Sequence, residues 1–113
     1  MSAAAFVATV PAADVAQGTA VRVVVDGVAI AVVHADDGFH ALADRCSHAD
    51  VSLAEGDVVG CTIECWLHGS AFDLATGVPL SPPAVAPVRV YPVRVSDAGI
   101  VEVEITSSAE GAS

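Results

Sequence analysis

An all-β fold, an antiparallel barrel or sandwich, is what this sequence predicts, and three features predict it. Short valine-rich segments recur along the chain, glycine-containing turns separate them, and no stretch holds a helical period. Residues 20–25 (AVRVVV) make a first strand that runs into Asp26-Gly27, a two-residue hairpin signal, and the chain returns as VAIAVVH over 28–34. Asp37-Gly38 marks a second turn before FHALAD at 39–44. Towards the end, VRVYPVRV (88–95) passes through Ser96-Asp97-Ala98-Gly99 into IVEVEIT. There Val101, Val103 and Ile105 point one way and Glu102 and Glu104 the other, as a half-buried antiparallel strand requires.

Helical signals are thin. PAADVAQG (11–18) suits a single turn closed by Gly18. Ser52 and Glu55 have capping-box spacing, but Gly56 follows at once and leaves no helix to cap. From about Asp44 to Pro83 the strand rhythm is broken by loops, and these hold every paired cysteine and histidine. The terminal SSAEGAS, residues 107–113, is small and polar and is expected to be a flexible tail.

At 113 residues the chain is expected to be one domain with a core of its own. No segment approaches the roughly 18–20 uncharged apolar residues of a membrane span. MSAAAFVATV has no basic start and too short an apolar run for a signal peptide, so a soluble, cytoplasmic protein is expected. Fourteen acids face four arginines, with no lysine, for a net charge of −10. That balance argues against nucleic acid and anionic membranes, which need basic groups. It suits docking on a basic protein surface, and it also keeps a small apolar domain soluble. Three cysteines cannot all pair, and in a reducing compartment metal ligation outranks a disulfide framework.

The stretch CSHADVSLAEGDVVGCTIECWLHGS, residues 46–70, carries two short arms, Cys46-x-His48 and Cys65-x-x-His68. Common zinc fingers keep the cysteines together on one arm and the histidines on the other, whereas each arm here carries one of each. Mixed arms suit a dinuclear centre, in which both thiolates hold one iron and both imidazoles the other. Zinc remains the alternative on ligand types alone.

The C-x-H and C-x-x-H arms, the run His68-Gly69-Ser70-x-Phe72-Asp73 and the later Ser81-Pro82-Pro83 together resemble the Rieske family. The resemblance implies a single domain over 1–113, with a small β cluster-binding subdomain at about 44–84 inserted into a base barrel made by the flanking segments. It implies one Rieske-type [2Fe-2S] cluster, with Cys46 and Cys65 on the buried iron and His48 and His68 on the outer one. Pro82 and Pro83 would cover the cluster from a third side. Trp66 and Leu67 would either pack beneath the second arm or form an apolar rim around the histidines, as part of a docking face. Ligand deprotonation at an oxidised centre predicts a potential that falls at high pH.

High-potential Rieske proteins add a cysteine to each arm and join the two as a disulfide; the matching positions here are Val51 and Leu67. They also set a serine and a tyrosine hydroxyl against the cluster, where this chain has Ser70 and Phe72. The resemblance therefore implies a potential near the low end of the Rieske range of about −150 to +300 mV. This combination is similar to the small soluble ferredoxins of bacterial multicomponent ring-hydroxylating dioxygenases, which serve aromatic hydrocarbon catabolism. The implied role is electron transport from a flavin-containing reductase to a terminal Rieske non-haem iron oxygenase, by a monomer with no catalytic residue of its own. A chain of this length is expected to lack a mononuclear iron domain. A Rieske-like small subunit of an assimilatory nitrite reductase and a structural zinc module stay open as alternatives. Outside the arms, Cys61 in the apolar run VVGCTIEC is expected in the core, and His34 and His40 are expected to be plain surface residues. Glu64 and Asp50 are candidate contacts for reductase arginines, or simply solvated acids.

Overall fold

Ten short strands and two single 3-10 turns make up the regular structure of the computed structural model, which describes residues 6–25, 27–44, 52–66, 71–80 and 87–104. All strand pairings among them are antiparallel. The strands are β1 (Phe6–Pro11), β2 (Thr19–Val25), β3 (Val28–Ala35), β4 (Gly38–Ala43), β5 (Asp57–Val59), β6 (Thr62–Glu64), β7 (Ala71–Asp73), β8 (Val90–Tyr91), β9 (Val93–Val95) and β10 (Ile100–Glu104). They form three sheets, ordered β1-β10-β9, β2-β3-β4-β8 and β5-β6-β7.

The hairpin expected at Asp26-Gly27 joins β2 to β3, with Val25 opposite Val28 and Gly27 at φ 79°. That left-handed conformation costs glycine nothing, which is why the turn closes there. In β10 the alternation is as predicted: Val101 and Val103 are fully buried, while Glu102 and Glu104 are half-buried. Glu102 turns outward to Arg94 Nε at 2.6 Å, and that guanidinium lies 4.1 Å over the Phe6 ring. The single turn expected in 11–18 is a 3-10 turn at Ala12–Asp14, and Gly18 follows at φ 86°.

One expectation needs correction, and one strand goes beyond the sequence reading. The alanine-rich start holds a strand, β1, paired along β10 with an irregularity between Ala8 and Pro11. The predicted strand 88–95 is two strands, because Pro92 has no N–H to donate. β8 joins the second sheet and β9 the first, so this segment carries the chain from one sheet to the other. In the middle of the chain β5, β6 and β7 form a sheet of their own, in keeping with the small inserted β unit that was expected.

Strand β3 explains how the sheets are assembled. Its successive side chains point to opposite faces, and both faces are buried. Ile30 and Val32 pack with Val25, Ala41, Tyr91, Val101 and Val103, between the first two sheets. Ala31, Val33 and Ala35 pack the other way, with Leu53, Ile63, Cys65, Phe72 and Leu74 of the middle region. Burial on both sides is why VAIAVVHA reads as an unbroken apolar run. β3 is a wall shared by two cores.

Candidate metal centre

Of the residues expected at the site, the described structure contains Cys65, Trp66 and Phe72. Cys46, His48, Leu67, His68, Ser70, Pro82 and Pro83 lie outside the described residues, as do Asp50 and Val51. Among the described residues no group of three or more His, Cys, Asp or Glu is placed to hold a metal.

Cys65 follows directly on β6 and is 1% exposed, packed into the core that holds Leu53, Ile63 and Phe72. It is a free thiol. The next residue, Trp66, is 51% exposed, so the chain passes from core to surface between the two. A thiolate buried in apolar surroundings needs a compensating positive charge, and a metal ion supplies one. A sulfur held inside the core at Cys65 would therefore fit the expected cluster. Exposure of Trp66 favours the rim over packing beneath the loop. Phe72 is fully buried, opposite Ile63 in the β6–β7 pair, and offers no hydroxyl to any acceptor.

Two glycines let neighbouring segments approach closely here. A Cβ on Gly56 would lie 1.8 Å from the Glu64 carbonyl oxygen, so the turn after Ser52 can press against β6 only without a side chain. Gly77, at φ 78°, would place a Cβ 2.1 Å from the Val88 carbonyl oxygen. Val88 N–H donates to the Gly77 carbonyl at 2.9 Å, while the Asp73 and Leu80 amides donate to the Val78 and Ala71 carbonyls at 2.9 and 2.7 Å, so Val78–Leu80 pairs with β7. Asp73 also holds the turn before it. Its Oδ1 accepts from the Ala75 and Thr76 amides at 2.8 and 3.1 Å, and its carbonyl accepts from Gly77 N–H at 2.7 Å.

One participant has no motif to announce it. Asp44, just past β4, has a fully buried side chain and three donors. Arg22 Nε stands 3.1 Å and the Ser52 hydroxyl 2.5 Å from Oδ2, and the Ala54 N–H is 2.7 Å from Oδ1. The available signal was an acid abutting the first arm with an arginine on an otherwise apolar strand, but nothing in the sequence pairs them. Ser52 does not cap the 3-10 turn Leu53–Glu55; its hydroxyl is committed to Asp44.

Cys61 is not in the core. It is exposed, because Val59 pairs with Thr62 and leaves Gly60 and Cys61 as the β5–β6 turn. Partial loss of water and then the charge of Asp37 push its thiol above the ordinary value. Asp37 itself is held below the usual carboxylate range, first by its hydrogen bond with His40 Nε2 at 2.7 Å. His40 is thus an anchored side chain. His34 is anchored too, with Nδ1 2.9 Å from the Val15 carbonyl and its ring stacked 4.2 Å from Phe39.

The Rieske [2Fe-2S] domain family matches residues 5–92. Ferredoxin CarAc of Metapseudomonas resinovorans is 42% identical over 87 residues, covering 76% of this chain and 81% of the relative. The 3-phenylpropionate/cinnamic acid dioxygenase ferredoxin subunit of Escherichia coli K12 is 42% identical over 91 residues, covering 80% and 85%. Among solved structures, a chain from the complex of reduced oxygenase and oxidised ferredoxin in carbazole 1,9a-dioxygenase superposes with a TM-score of 0.81 at 39% identity, covering 88% of this chain and 92% of that one. A Mycobacterium tuberculosis structure described as a nitrite reductase small subunit superposes with a TM-score of 0.83, covering 94% and 99%, but at 24% identity it speaks for the fold alone.

Proposed function

The chain belongs to the Rieske [2Fe-2S] domain family, and from that premise we propose that it is the ferredoxin of a ring-hydroxylating dioxygenase system. It is an electron carrier and not itself an enzyme. The observation that carries this reading is 42% identity to named dioxygenase ferredoxins over about four-fifths of their length, 81% and 85%. Both mixed arms are present in the matched region. The nitrite reductase alternative has only the shared fold behind it, and family membership leaves no support for a structural zinc module.

Cys46 and Cys65 would hold one iron and His48 and His68 the other, within a cluster-binding segment at about 44–84. When bound, a [2Fe–2S] cluster supplies a site that takes up and gives up one electron. The protein's own part is to keep Cys65 in a dry core and to bring the chain to the surface at Trp66. The buried Cys65 sulfur behind and the exposed Trp66 in front would direct exchange to one side. Hydroxyl bonding at Ser70 would raise the potential, with none available from Phe72.

The partners we assign are a terminal oxygenase and a flavin-containing reductase. A net charge of −10 suits basic surfaces on both. Asp57 and Glu64 stand directly opposite each other across β5 and β6, just before Cys65. Like charges so placed destabilise the pair, and an arginine or lysine from a partner would relieve them.

Purified protein should contain two irons and two acid-labile sulfides per chain and give a Rieske EPR spectrum when reduced. Zinc without sulfide would refute the assignment. The reduced protein should pass its electron to a ring-hydroxylating terminal oxygenase in stopped flow.

A further inference from the structure

In the sequence Cys46 and His48 lie between Asp44 and Ser52, and these two residues meet at a single buried carboxylate. Asp44 is fixed to the second sheet on the arm's near side, since its N–H donates to the Ala29 carbonyl at 3.0 Å. The preceding Ala43 N–H donates to the Arg89 carbonyl at 2.8 Å. On the far side, the same carboxylate takes the Ser52 hydroxyl and the Ala54 amide. Arg22 of β2 supplies the positive charge that a buried carboxylate requires. Asp44 and Ser52, which bracket the first arm in the sequence, are therefore joined through their side chains.

The closure extends to the other arm. Ser52 and Ala54 flank Leu53, which is fully buried in the core that holds Cys65. The turn ends at Gly56, whose N–H donates to the Leu53 carbonyl at 2.9 Å and whose bare Cα admits the Glu64 carbonyl. Glu64 is the residue before Cys65. A continuous path thus runs from Asp44 through Ser52, Ala54 and Gly56 to the second arm.

We propose that Asp44 is a positioning residue for the cluster, fastening the first ligand arm at both ends and setting it against the strand that carries Cys65. This rests on the iron–sulfur reading above. Groups that orient ligands without touching the metal alter its retention and spectrum even where the fold survives. The charge-assisted bonds at Asp44 are of the strong kind, and removing the carboxylate strands the Ala54 amide in a dry site.

The test compares full-length parent, Asp44→Ala, Asp44→Asn and Ser52→Ala proteins. Four readouts are taken: iron and sulfide content, EPR line shape of the reduced form, iron release to a chelator, and melting of the iron-free chain. Asp44→Ala should release iron about tenfold faster or more, with a broadened EPR signal. Asp44→Asn keeps an acceptor for Ala54 and should recover part of that loss. Ser52→Ala leaves the Arg22 pair and the barrel intact, so it should speed release with no change in iron-free melting. Unchanged release and line shape in both alanine variants overturn the proposal, as does faster release that only tracks a fall in iron-free melting. A parent that takes up zinc and no sulfide overturns the electron-carrier reading along with it. A normal parent beside unaltered variants overturns the positioning role alone.

Discussion

The two faces of β3 look onto cores built by different means. On one, Ile30 and Val32 meet side chains from long strands, and aliphatic valine and isoleucine dominate. On the other, Ala31, Val33 and Ala35 meet Leu53 from a 3-10 turn, Ile63 and Phe72 from three-residue strands, and Cys65 from just beyond one. The first core draws most of its side chains from the hydrogen-bonded strands β2, β3, β4 and β10. The second has little regular backbone, so polar clasps and close glycine contacts set its geometry.

That contrast breaks most sharply under large deletions. Phe72→Ala should cost about 3–5 kcal/mol and Ile30→Ala about 2–5 kcal/mol. The costs are similar, but the consequences should part: Phe72→Ala releases iron well below its melting temperature, whereas Ile30→Ala holds iron until the protein melts. Visible absorbance followed beside circular dichroism checks this, and coincident loss in both variants would dissolve the distinction. A smaller effect belongs to the exposed edge of the second core. Trp66→Ala should weaken binding to the oxygenase about tenfold, roughly 1.4 kcal/mol, with the EPR spectrum unaltered. Titration calorimetry with the oxygenase reads it, and an altered spectrum would mean the ring packs on the cluster instead.

The smallest effect lies at the β5–β6 turn. Cys61 stays protonated to higher pH in the folded chain than in the unfolded one, so its contribution to stability fades as pH rises past the ordinary thiol value. Asp37 has the opposite sense: its depressed value stabilises the fold above the usual carboxylate range and is lost as pH falls through it. Asp37→Asn should therefore speed labelling of Cys61 by a thiol reagent at pH 8 several-fold. An unchanged rate would mean that the Asp37 charge does not govern the thiol.

The first core was legible and the second only by its motif. Val101 and Val103 alternate with acids, and Asp26-Gly27 marks a hairpin, because a long strand repeats its period often enough to be seen. A three-residue strand such as Thr62–Glu64 has no period to show. Cys61 reads as apolar in VVGCTIEC, and only Gly60 before it hinted at a turn that would carry it outside. The arms themselves were plain from their spacing. Asp44 was not, since its partners come from two distant places along the chain, Arg22 on one side and Ser52 and Ala54 on the other, and no local rule brings them together.

Gly77 carries a consequence of another sort. With Val88 fastened to it, and with Val78 and Leu80 bonded to Asp73 and Ala71, the chain is held to the fold on both sides of residues 81–86. Lengthening a loop closed in this way costs only about 0.6 kcal/mol per doubling of its length. Residues 81–86 can therefore change in sequence, even in length, at little cost to the two cores that flank β3.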